Sequence, residues 1–221
     1  VTEVLLVDVA IEPSAPGEVT VVGRRPLLSA GDDALLDLRV RYEDFPGRGP
    51  VSYGRTLSRA VPFGDDGVAR RGDPLRRRYE LRLPEAADAL MRRVRVTGQL
   101  WPVDVVGPAG RRGGRVLPLR GAVLESLGPG GGVPLRALLA APAPAASDVF
   151  LAAVREAREE RTRVLGDLVG ALAGRGGEAR EGALAALFAL TGLPHGRATY
   201  RWSAWWRAVQ RGQVDDVGPP R

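Results

Sequence analysis

Along the first 127 residues the dominant period is two. Leu36, Leu38, Val40 and Tyr42 alternate with Asp37, Arg39, Arg41 and Glu43, which is the pattern of a strand with one dry and one wet face. Tyr79, Leu81 and Leu83 against Arg78, Glu80 and Arg82 repeat it, as do Val94 and Val96 against Arg93, Arg95 and Thr97. Residues 1–11, 18–22, 51–61, 100–106 and 115–124 supply further candidates, punctuated by turn formers such as Pro46-Gly47-Arg48-Gly49-Pro50 and Gly64-Asp65-Asp66-Gly67. Seven or so short strands without long helices between them predict an antiparallel β-sandwich of Ig-like form over residues 1–127. Pro84 to Met91 is expected as a loop or short helix crossing one end. Pro62, Pro102 and Pro118 push their strands toward edges or bulges, because Pro cannot donate to a ladder.

From residue 147 the period changes to that of a helix, so the fold class is α+β. Residues 128–146 between the two regions are rich in Gly, Pro and Ala and read as a linker, with apolar Val133 to Ala140 as a last edge strand or a docking segment. Ser147 or Asp148 caps a long helix to about Ala173, apolar at Leu151, Val154, Leu165, Leu168 and Leu172 and highly charged in its middle. A second helix covers about Glu178 to Leu190, stopping at Thr191-Gly192. A third runs from Thr199 and carries Trp202, Trp205, Trp206 and Val209 at i, i+3, i+4 and i+7. Each indole offers about 150–250 Å² to bury, so that stripe must be covered. The expected helical module spans residues 147–212, with 213–221 as a tail.

The run Ala186-Leu187-Phe188-Ala189-Leu190-Thr191-Gly192, followed after a loop by Trp202-Ser203-Ala204-Trp205-Trp206, resembles the end of HEAT-type helical repeat units in bacterial proteins. The match covers about residues 178–210, a single unit. The resemblance implies an α-solenoid fragment whose role is scaffolding or protein binding, and it brings no catalytic residue with it.

All 32 basic side chains are Arg, while Lys and Asn are absent and Ile and Met occur once each. The codons avoided are AT-rich, so the arginines read first as the imprint of a GC-rich bacterial genome. The net charge is +6, but residues 1–128 hold 20 Arg against 17 acids and residues 129–221 hold 12 against 9. Neither part is a basic domain. Arg76 and Arg78 share one face of their strand and Arg77 takes the other, so the triplet cannot present to one ligand. With aromatics at 5% for base stacking, nucleic acid is an unfavoured partner. Apolar runs fall short of the roughly 18 residues of a membrane span. The start at Val1 fits removal of a secretion signal and fits trimming equally well, so compartment is undetermined.

Catalytic signatures are sparse. There is no Cys and one His, which excludes a thiolate or multi-His metal site. His195, in a loop after Pro194, is expected as a solvated or capping side chain. Without Lys there is no P-loop, and neither Gly-x-Gly-x-x-Gly nor Gly-x-Ser-x-Gly occurs. The acidic pairs Asp32-Asp33, Asp65-Asp66 and Asp215-Asp216 are the residue types a carboxylate hydrolase would use, but in Gly-rich turns such pairs serve as turn formers. No catalytic residue, cofactor or metal ligand is assigned. The expected function is a noncatalytic protein-binding or scaffold module, with Trp202, Trp205, Trp206, Arg76 and Arg78 as candidate contacts. A carboxylate hydrolase and a weak Arg-mediated nucleic-acid binder are the alternatives.

Overall fold

The computed structural model describes the chain except residues 1, 15–16, 23–34, 65, 86–87, 131, 175 and 215–221, and except the side chains of residues 2, 102, 103, 114 and 115. The pairs Asp32-Asp33 and Asp215-Asp216, Asp65 of the third pair, and Ala86-Ala87 of the expected crossing therefore lie outside the described residues. The class is α+β, with mostly antiparallel strands and four helices among the described residues.

Strands β1 (Thr2–Ile11) and β6 (Leu75–Pro84) form a two-stranded antiparallel sheet in the register Leu5↔Leu81, Val7↔Tyr79. A second sheet runs β4-β3-β7-β2-β5, from β2 (Glu18–Val22), β3 (Leu35–Phe45), β4 (Tyr53–Pro62), β5 (Gly67–Arg70) and β7 (Met91–Gly107), and β8 (Gly110–Leu127) pairs β7. Only Pro108 and Ala109 separate β7 from β8, and a connection that short requires an antiparallel hairpin. The two segments expected around Val94 and Leu100 are one continuous strand, because nothing between them, Gly98 included, breaks the extended path. Pro62 and Pro118 lie on β4 and β8, the edge positions Pro tolerates. Pro102 falls within β7, two residues before its ladder with β2 begins at Asp104.

The helices are α1 (Leu135–Ala140), α2 (Ala146–Gly174), α3 (Gly177–Thr191) and α4 (Thr199–Gln210). The apolar segment expected as an edge strand or docking segment is thus the short helix α1. Its Leu and Ala residues favour a helix, Leu135 is fully buried, and the Glu156 carboxylate accepts the Leu135 N–H at 2.6 Å. In α2 the charged middle has a physical mark: Glu160 leaves helical geometry at φ −129°, ψ 52°.

Contacts divide the described chain into two compact units that do not follow chain order. The first comprises residues 1–41, 56–85 and 95–122, and its core holds Val9, Val21, Leu36, Leu38, Phe63 and Leu100. The second comprises residues 42–55, 86–94 and 123–221. Its core holds Phe45 and Met91 together with Phe150, Leu168, Leu187 and Trp202.

Candidate docking groove

A concavity of the first unit, about 650 Å³, is lined by Val7, Asp8, Val9 and Ala10 of β1, by Pro118, Leu119, Arg120 and Ala122 of β8, and by Glu12, Arg71, Val96 and Thr97, among others. Successive residues of a strand point to opposite faces. Four consecutive residues of β1, with none of its neighbour β6, mark the edge of that strand, whereas β8 lines the groove together with Val96 and Thr97 of its own neighbour β7. A neighbouring cavity of about 470 Å³ shares Glu12, Pro13 and Ser14 and takes Val19, Val105, Arg112 and Leu117 into its lining.

The acids of the groove are already engaged. Asp8 stands directly across from Arg78 in the β1–β6 register, and the guanidinium donates to both carboxylate oxygens, Nε to Oδ1 at 2.7 Å and an Nη to Oδ2 at 3.1 Å. That hydrogen bond holds the Asp8 carboxyl below its ordinary pKa. Glu12 accepts the Gly72 N–H at 2.6 Å and so pins the turn between β5 and β6. Thr97 donates to the Arg39 carbonyl. Arg71 and Arg120, by contrast, meet no carboxylate among the described residues. What remains available in the groove is two guanidiniums beside the half-buried apolar Val7 and Leu119, a set suited to holding a carboxylate or phosphate and a few aliphatic groups.

The alternation expected for the Arg76-Arg77-Arg78 triplet is present: Arg76 and Arg78 are exposed, while Arg77 lies over the Phe63 ring, 5.5 Å from its centroid. Arg78 serves Asp8, and Arg76 lies outside the groove lining. The arginines belong to the first unit and the tryptophans to the second. Trp202 and Trp205 are buried in the second unit's core, and Trp206 and Val209 pack against it. Edge-on contacts at 5.9 Å join Trp202 to Trp205, and the Trp202 indole N–H donates to the Gly196 carbonyl at 3.0 Å. The Trp205 N–H is buried without a partner. His195 meets Trp202 edge-on, 4.8 Å between ring centroids, and burial followed by the charge of Arg201 lowers its pKa.

Two arginines that look like surface charge in the sequence are buried. Arg92 forks onto Asp44 at 2.6 and 2.8 Å and lies over the Tyr42 ring. Arg93 binds Glu125 at 2.7 Å and also donates to the Ala189 carbonyl at 2.7 Å. The latter bond belongs to a cap. At the end of α3 the Gly192 N–H donates to the Phe188 carbonyl, Arg93 to Ala189 and Arg161 to Leu190, and the Thr191 hydroxyl adds a second donor to Leu187. Three of the four carbonyls that a helix end leaves unpaired are thus satisfied, two of them by cations at the negative end of the helix dipole. That cap accounts physically for the Leu190-Thr191-Gly192 motif.

Sequence reasoning put forward Arg76 and Arg78 as contacts but not Arg120, which stands alone between Leu119 and Gly121. No local signal marks it; the groove arises from strands more than a hundred positions apart. Among the described residues no group of three His, Cys, Asp or Glu side chains is placed to hold a metal ion. No helix is long and apolar enough to cross a membrane. Compared with protein-family models, curated proteins and solved structures, the chain matches none.

Proposed function

We propose that this protein is a noncatalytic binding module whose partner is another protein, held in the groove between β1 and β8. In this reading the strands make an Ig-like antiparallel sandwich, and α2 to α4 make a single HEAT-type unit with a scaffolding role. The observation that carries the proposal is the division of labour in the groove. Asp8 is held by Arg78 and Glu12 accepts the Gly72 amide, while Arg71 and Arg120 meet no carboxylate among the described residues. Acid–base chemistry needs a carboxyl or imidazole free to exchange a proton at working pH, whereas recognition needs donors with unmet demand. The groove supports the second.

A carboxylate hydrolase is favoured less, because one of its two acids must be held high in pKa. Asp8 is held low. The fold analogy adds only that strand-edge grooves and helix pairs commonly serve as contact surfaces. Selection of random displayed peptides on the full chain tests the proposal. Peptides that bind, and that R120E releases while its melting temperature stays that of the unsubstituted chain, support a docking groove. Failure to enrich any peptide, or binders indifferent to R120E, would refute it.

A further inference from the structure

We infer that the groove receives its partner as an added β-strand: an extended segment in which acidic residues alternate with β-branched apolar ones. This rests on the binding-module reading and narrows it to one class of ligand. Among the described residues β1 is paired only with β6, and β8 only with β7. Among the described residues the side of β1 away from β6 thus carries backbone N–H and C=O groups without a ladder partner, an edge of the kind that pairs with another chain. Such an edge is specific for something that carries its own backbone donors and acceptors in an extended repeat, which a peptide does and a nucleic acid does not.

Charge selects among peptides. Asp8 is balanced by Arg78, whereas Glu12 keeps its charge on accepting the neutral Gly72 N–H; Arg71 and Arg120 of the lining together outweigh Glu12, so a ligand acid is drawn to the arginines. The groove also presents Val7 and Leu119. An extended ligand alternates its side chains between two faces, so one face can meet the aliphatic wall while the other meets the cations. Pro118 has no N–H, so β8 offers a shorter ladder and β1 the longer one. The Pro also limits promiscuous pairing along an edge whose Val116 and Leu124 are half exposed, at 52% and 50%.

The probes are a ten-residue peptide alternating Glu and Val, the same peptide with Lys for Glu, the Glu-Val peptide N-methylated at alternate residues, and a single-stranded DNA 12-mer. Binding to the full chain is read by fluorescence anisotropy at low and at physiological salt. The expected result is saturable binding of the Glu-Val peptide alone. R71E and R120E should each weaken it at least ten-fold and R76E less than two-fold, with melting temperatures unchanged. Equal binding of the N-methylated peptide would overturn strand addition, since the side chains persist and the ladder does not. DNA bound as tightly as the peptide would overturn it in favour of a polyanion surface. Peptide-free dimers that lose peptide binding as protein concentration rises would assign the edge to a second copy of this chain. If displayed peptides bind the groove yet none is acidic and extended, the binding module stands and this inference falls; if no peptide binds at all, both fall.

Discussion

Replacing Gly182 by Ala sets two forces of known size against each other. Gly182 lies inside α3, where Ala is the better helix former by about 1 kcal/mol. Propensity alone therefore predicts stabilisation. A Cβ at that position, however, would stand 2.4 Å from the Ala146 carbonyl oxygen and 2.9 Å from the Val149 Cβ. The obstacle is the backbone at the start of α2, which has no rotamer with which to yield. Overpacking of this kind costs about 1–3 kcal/mol, and contact with backbone places it toward the upper end, leaving a net loss of about 1–2 kcal/mol. In a chain of this length each kcal/mol moves the melting temperature by about 2–4 °C, so G182A should melt about 2–8 °C lower. Gly170, in α2 and exposed, has nothing within 4 Å of its virtual Cβ. G170A should therefore gain the propensity term and melt about 2–4 °C higher. Thermal unfolding followed by circular dichroism at 222 nm reads both. A G182A chain that melts at or above the unsubstituted chain would refute the close approach of α2 and α3.

Gly192 closes α3 at φ 69°, in the left-handed region; G192A should cost about 1–2 kcal/mol in urea unfolding, and an unchanged midpoint would contradict the cap. Trp202 donates its N–H and Trp205 does not, and a buried unpaired donor carries a penalty of about 1–3 kcal/mol, so W205F should be less destabilising than W202F by about 1–2 kcal/mol. Equal losses would mean that the Trp205 N–H has a partner. For His195 the folded pKa lies below the ordinary 6.5, so between those values the unfolded chain holds the extra proton and stability rises with pH. The contribution is complete above 6.5, is lost as pH falls from there toward the folded pKa, and is constant below it. H195Q should flatten that segment of the stability–pH curve, and an unaltered slope would remove the burial argument.

How far the sequence could be read depended on whether the deciding interaction was local. Leu36 to Tyr42 and Tyr79 to Leu83 show their strand by alternation, and Trp202 to Val209 shows its helix, because period and dry face are written in neighbouring residues. Val133 to Ala140 was ambiguous for the same reason: its apolar residues fit a strand as well as a turn of helix. The choice came from Glu156, twenty-one positions away from the amide it caps. The kink at Glu160 is equally hidden in the pattern. There Arg163 gathers Glu156, Glu160 and Asp167, which raises its pKa, and such a hub depends on geometry rather than on spacing.

The candidate site was less legible. Arg92 and Arg93 read as exposed charge in a strand, yet their guanidiniums lie over the Tyr42 and Phe45 rings and meet fixed acceptors. Arg71 and Arg120 read the same way and have no such partners. One sequence signal thus has opposite meanings, decided by which carboxylates the fold brings near. An alternating pattern tells which face of a strand is dry. It does not tell which edge is left unpaired, and the proposed function depends on the edge.

Amide hydrogen exchange, residue by residue, with and without the Glu-Val peptide, addresses that edge directly. Strand addition predicts slowed exchange at alternate amides of residues 7–10 and at amides of residues 119–122, with the remaining strands unchanged. Peptide binding that leaves those amides exchanging at their free rate, or that protects the outward face around Arg76 instead, would contradict it.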